Sequence, residues 1–161
     1  MERVVVLGRG GAGKSTFAVR LGQLTGLPVI QLDQHFWSAD LLPLAPDAWS
    51  AVQRELAVST RWIMDGDLGP YDVLCPRLQY ADTVVILDFS LARCAWRALR
   101  RSRERADFWW WLLTWRHRSR RAVLQAVAVS AAQTDVHLLR SPRQLRQFLA
   151  DVAATHRRRP T

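Results

Sequence analysis

The chain has 161 residues, a formal net charge of +9 at pH 7, 49% hydrophobic residues and two cysteines. That length suits one domain with a substantial core, and no run approaches the ~20 apolar residues of a membrane span. Cys75 and Cys94 lack C-x-x-C spacing and read as two reduced core thiols; the N-terminus enters a strand at once without a cleavable signal, so the expectation is a cytoplasmic protein with a single domain over residues 1–161.

The first element is a β-branched apolar run, Arg3-Val4-Val5-Val6-Leu7, that reads as a buried parallel strand. It feeds Gly8-Arg9-Gly10-Gly11-Ala12-Gly13-Lys14-Ser15, a complete G-x-x-x-x-G-K-[ST] loop, and Thr16 opens a helix with apolar positions at Phe17, Leu21 and Leu24. The glycines let successive backbone N–H groups turn toward an anion, and the helix N-terminus adds partial positive charge. Lys14 is the only lysine of the chain, while the other 22 strongly basic residues are arginines. A site that keeps a compact ammonium in such a background suits a nucleotide β,γ-phosphate bridge, with Ser15 offering its hydroxyl to Mg²⁺.

A second short strand, Leu27 to Leu32, delivers Asp33 to the ligand edge, where it is a catalytic or acceptor-orienting carboxylate or, alternatively, a loop cap. His35, Phe36 and Trp37 follow in a loop over the acceptor pocket, where an aromatic either stacks on a flat acceptor or packs. After an irregular connection with Pro43 and Pro46, a helix resumes from Asp47 with Trp49, Val52 and Leu56 on its apolar stripe. Arg61 to Met64 is a third strand ending in Asp65-Gly66-Asp67. Asp65 has the place of the carboxylate that holds Mg²⁺ through water, and Asp67 reaches the acceptor or metal, or sits in a surface loop.

Residues 81–88 and 134–139 form the fourth and fifth strands, and a helix spans Ser90 to Arg105. Asp107 caps a second long helix running through Trp111, Trp115, Val123 and Val127 to about Ala132. Trp111 and Trp115, four residues apart, pack on one face, and Trp109 and Trp110 cover the acceptor or a second subunit; core or dimer packing is favoured over stacking on bases. Alternation of strands and helices specifies an α/β protein with a doubly wound parallel sheet of five strands.

Charge divides the chain: residues 1–89 hold seven Lys/Arg and ten Asp/Glu, residues 90–161 sixteen arginines and four acids. The arginines between 93 and 121 are a nucleic-acid face, a lid clamping nucleotide phosphates, or a solvated helix surface, and the phosphate loop tilts the choice to the lid. The absence of asparagine excludes an N-K-x-D guanine-reading motif, and no Asp-Glu pair follows a strand as in many motor and transporter ATPases.

With these blocks, together with Arg140-Ser141-Pro142-Arg143 after the last strand, the chain resembles the nucleoside monophosphate kinase branch of P-loop proteins. Within it, the chain is similar to the small adenylate-kinase-related proteins often labelled topology-modulation proteins. The resemblance implies a three-layer, adenylate-kinase-like fold with a short helical lid at about 97–120, ATP and Mg²⁺ as cosubstrates, and phosphoryl transfer to a nucleotide, nucleoside or other small molecule. It assigns Gly8, Gly10, Gly11, Ala12, Gly13, Lys14, Ser15 and Thr16 to phosphate, and Arg97, Arg101 and Arg105 to the lid. It also places Arg140 and Arg143 near adenine and Arg77 at the acceptor's anionic group. Asp67 stands where relatives usually have asparagine. The alternative is an ATP-dependent nucleic-acid-binding regulator of DNA topology, and the chain acts as a monomer or homodimer.

Overall fold

A computed structural model describes residues 1–37, 42–69, 72–101, 106–115, 119–130 and 134–157. The expected lid residue Arg105, with residues 102–105 and 116–118 of the expected lid, lies outside these residues, as does the side chain of Arg101. Five parallel strands form one sheet: β1 (Arg3–Gly8), β2 (Val29–Gln31), β3 (Trp62–Asp65), β4 (Thr83–Leu87) and β5 (Asp135–Leu139), in the order β2-β3-β1-β4-β5. β1 therefore lies centrally, with Val6 opposite Asp65 on one side and Gly8 opposite Leu87 on the other.

Because side chains alternate along a strand, β1 supplies two cores. Val4 and Val6 join Phe17 and Leu21 of α1 (Lys14–Thr25), Cys94 of α5 (Leu91–Arg101), Leu112 of α6 (Ala106–Thr114) and Leu149 of α8 (Pro142–Arg157). Val5 and Leu7 join Phe36 of α2 (Asp33–Phe36), Trp49 of α3 (Pro46–Ala57), Leu78 of α4 (Cys75–Leu78) and Val123 and Val127 of α7 (Ser119–Ser130). The sheet is thus sandwiched between two helical layers, which is why its central strands read as continuous apolar runs.

Two expectations are corrected. The long helix expected from Asp107 to about Ala132 is broken: α6 ends at Thr114 and α7 starts at Ser119. Leu112 and Val123 belong to cores on opposite faces of the sheet, and no straight helix reaches both. Of the two thiols, Cys94 is buried but Cys75 is exposed, and neither is in a disulfide. Among the described residues, no helix is long and apolar enough to cross a membrane.

Candidate active site

The C-terminal edge of the sheet gathers the chemistry-bearing residues, as the strand order of an open α/β sheet directs. The G-x-x-x-x-G-K-S loop links β1 to α1 through Gly11 at φ 72° and Gly13 at φ 95°, backbone that favours glycine. A Cβ on Gly11 would collide with the carbonyl oxygen of Cys94, and one on Gly13 would stand 2.8 Å from the Arg97 guanidinium. Lys14 Nζ donates to the carbonyls of Gly8 at 2.9 Å and Arg9 at 3.4 Å, folding the ammonium back over the loop.

Asp65, at the end of β3, is only 4% exposed. Burial pushes its carboxyl above the ordinary value, opposed by a hydrogen bond from Ser15 and the charge of Lys14, with Asp33 adding a further upward push. Asp65 Oδ1 is buried with no hydrogen-bond partner. A buried carboxylate oxygen without a protein donor, beside a serine hydroxyl at a phosphate loop, fits a magnesium site with its retained waters. Among the described residues no group of three His, Cys, Asp or Glu side chains forms an all-protein cage, which Mg²⁺ does not require.

Asp33 does not end a strand; β2 stops at Gln31 and Asp33 begins the single turn of α2, exposed to solvent. Its Oδ1 lies 3.6 Å from where a Cβ on Gly66 would be, so it faces the turn that follows Asp65. Trp37, 46% exposed, stands edge-on to Phe36 with ring centroids 5.0 Å apart.

Arg97 of α5 reaches the phosphate loop, its Nη1 donating to the Ala12 carbonyl at 3.4 Å. It borders a cleft of about 270 Å³ between the loop, α5 and α8, lined also by Thr16, Phe17, Arg93 and Leu145. Arg140 and Arg143, expected near the adenine, are exposed and do not line this cleft, whereas Pro142 and Arg146 do. Since α8 starts at Pro142, helical spacing puts Leu145 and Arg146 on the face of Pro142 and turns Arg143 away. That spacing was readable in the sequence. A shallow depression of about 460 Å³ behind α1, bordered by Val19, Gly22, Leu27 and Val29, has no charged side chain in its lining.

Arg77 requires a correction. Its guanidinium is fully buried and forms a two-pronged pair with Asp72 at 2.6 and 2.9 Å. It also donates to Gln53 Oε1 at 2.6 Å and to the Gly66 carbonyl at 3.3 Å. The arginine expected at the acceptor instead braces the acid-bearing turn from beneath, for α4 points it into the core.

Asp67 is likewise buried, which removes the surface-loop alternative. Its Oδ2 accepts from the Trp115 indole at 3.1 Å and its Oδ1 from the Gly69 N–H at 3.0 Å. Burial pushes its carboxyl above the ordinary value, while the Lys14 charge draws it down. Trp115 follows directly on the end of α6 at Thr114, and the side chain of Trp111, expected to pack with it, lies outside the described residues. Arg9 and Trp115 were not foreseen as site residues: no local pattern joins a loop residue to a tryptophan 106 positions later.

No family model and no curated protein matches the chain. Solved structures do. A sugar kinase from Janibacter sp. HTCC2649 has 19% identity and a TM-score of 0.58, with 97% of this chain and 98% of that one covered. A gluconokinase from Sinorhizobium meliloti 1021 has 18% identity and a TM-score of 0.57, covering 98% and 92%. A shikimate kinase from Bacteroides thetaiotaomicron has 14% identity and a TM-score of 0.57, covering 96% and 97%. Together with the five-stranded parallel sheet between two helical layers, these likenesses show that the chain has the fold of the small P-loop kinases.

Proposed function

We propose that the chain is a Mg-ATP-dependent kinase, one catalytic domain across residues 1–161, that transfers a phosphoryl group to a hydroxyl of a small molecule. The observation that carries this reading is the convergence on Asp65: a Ser15 hydrogen bond, Lys14 and Asp33 within electrostatic reach, and one buried oxygen without a protein partner. Similarity to structures named as sugar, gluconate and shikimate kinases supports a small-molecule acceptor. Membership of the topology-modulation subgroup rests on the sequence motifs alone, and nothing in the fold likeness favours the DNA-regulator alternative.

In this reading the loop amides and Lys14 bind the nucleotide phosphates, and Arg97 is placed beside them to meet the charge that develops on transfer. Ser15 and Asp65 would hold Mg²⁺, which neutralises phosphate charge when bound. Asp33 orients the acceptor hydroxyl and takes its proton as the oxygen forms its bond to the γ-phosphorus and the bond to ADP breaks. A hydroxyl acceptor is favoured over a nucleoside monophosphate because Arg77, the expected partner for an anionic acceptor, is consumed by Asp72, Gln53 and the Gly66 carbonyl. Trp37, just past the end of α2, offers an exposed aromatic face.

The test is ADP release from Mg-ATP across sugars, polyols, nucleosides, nucleoside monophosphates and duplex DNA, with Lys14→Ala and Asp33→Asn proteins alongside. A hydroxyl compound should stimulate turnover, Lys14→Ala should abolish it, and Asp33→Asn should lower kcat by about 10² to 10⁴. Stimulation by monophosphates alone, or an unaffected Asp33→Asn enzyme, refutes the hydroxyl assignment. Stimulation by DNA alone refutes the small-molecule kinase.

A further inference from the structure

α6 packs through Leu112 in the layer of α1 and α8, and α7 packs through Val123 and Val127 in the opposite layer. Trp115, directly after the end of α6 at Thr114, is fully buried. Its indole edge donates to Asp67 Oδ2 at 3.1 Å, and the Arg9 guanidinium stands over its ring with Cζ 5.3 Å from the centroid. Both poles of the indole are used: the electropositive N–H edge meets a carboxylate and the electronegative face meets a cation. Arg9 and Asp67 are themselves only 2% and 8% exposed, so the ring mediates between two buried charges.

Each end of this bridge belongs to a different part of the site. Arg9 lies in the phosphate loop, and its carbonyl accepts from the Ala12 N–H at 3.2 Å and from Lys14 Nζ at 3.4 Å. Asp67 lies two residues beyond Asp65, in the turn that Arg77 braces through the Gly66 carbonyl. The Trp115 carbonyl in turn accepts from the Arg120 N–H at 2.8 Å, and Arg120 Nε pairs with Asp88 at 2.9 Å, fastening the start of α7 just past the end of β4.

We propose that Trp115 is a positioning residue of the phosphoryl-transfer site: at the end of α6 it sets the phosphate loop against the acid-bearing turn, so that nucleotide affinity depends on its N–H bond to Asp67 and its contact with Arg9. This rests on the Mg-ATP kinase reading above. Through it, a displacement of α6 reaches the phosphate loop and the turn bearing Asp65 together.

The experiment measures Mg-ATP binding by calorimetry, well below each protein's unfolding temperature, for the wild type and Lys14→Ala, Trp115→Phe and Asp67→Asn proteins, with Tm recorded for each. Trp115→Phe keeps an aromatic face under Arg9 and deletes the N–H; it should weaken Mg-ATP about tenfold, the scale of one hydrogen bond to a charged group. Asp67→Asn keeps an oxygen for the indole and should stay within about threefold of wild type. Trp115→Phe binding Mg-ATP as the wild type does, with only Tm lowered, overturns the proposal. Should Trp115→Phe fail to fold, Arg9→Met carries the test: a comparable loss supports the bridge and wild-type affinity overturns it. Wild-type protein that binds Mg-ATP no better than Lys14→Ala overturns the kinase reading and this proposal together, whereas Lys14-dependent binding untouched by the bridge variants overturns the bridge alone.

Discussion

Replacing Arg77 with methionine separates a structural arginine from an acceptor-binding one. The guanidinium is fully buried, its partner Asp72 has a side chain only 2% exposed, and the pair closes at 2.6 Å. Removing one member strands the other as a buried charge, which costs ~3–5 kcal/mol against a total stability of ~5–15 kcal/mol. For a chain of this size 1 kcal/mol corresponds to ~2–4 °C, so Tm should fall by roughly 6–20 °C. The loss should also depend on pH. Burial pushes the Asp72 carboxyl up, but the Arg77 charge and hydrogen bonds from Arg77, the Leu68 N–H and the Trp49 indole outweigh it and hold Asp72 below the ordinary value. Its stabilisation is therefore present above the unfolded value of ~3.9 and is lost as pH falls through the folded one. Without Arg77, burial dominates, so protonation favours the folded variant and its deficit relative to wild type should narrow on acidification. Urea unfolding of both proteins between pH 4 and 8 measures this. A Tm within about 2 °C of wild type, combined with lost acceptor-stimulated turnover, would refute the reasoning and return Arg77 to the acceptor.

Asp67→Asn should raise Tm at pH 7.5, because burial lifts the Asp67 carboxyl above its unfolded value and its charge opposes folding at higher pH. The gain should shrink as pH falls and vanish below about pH 3.9, where the unfolded carboxyl is protonated as well, and a constant gain across pH would contradict the assignment. Gly11→Ala sets a Cβ against the Cys94 carbonyl at φ 72° and should cost ~1–3 kcal/mol in urea unfolding. Arg97→Met should leave Tm near wild type yet cut turnover about 10²-fold or more, the scale of one lost electrostatic donor; a loss confined to KM would argue against a role in transfer.

The strand–loop–helix geometry of residues 3–25 was legible because its requirements are local: glycines where the backbone turns, a strand before and a helix after. The buried strands were legible for the same reason, since a sheet covered on both faces leaves continuous apolar runs in β1, β3 and β4. Asp65 at the end of β3 followed from that pattern. The residues misplaced were those whose role is fixed by a distant partner. Arg77 carries no local sign that Asp72 and Gln53 enclose it, and Asp67 shows none of the indole 48 residues on. The break between α6 and α7 is invisible in periodicity because both helices are apolar, but they belong to opposite layers.

By itself, then, the sequence determined that this protein has a parallel α/β sheet with a glycine-rich strand-to-helix loop at its central strand, since backbone geometry and periodic burial are written residue by residue. Only the tertiary structure decided which charged side chains face the site and which are spent in holding it, because that depends on what each one meets across the fold.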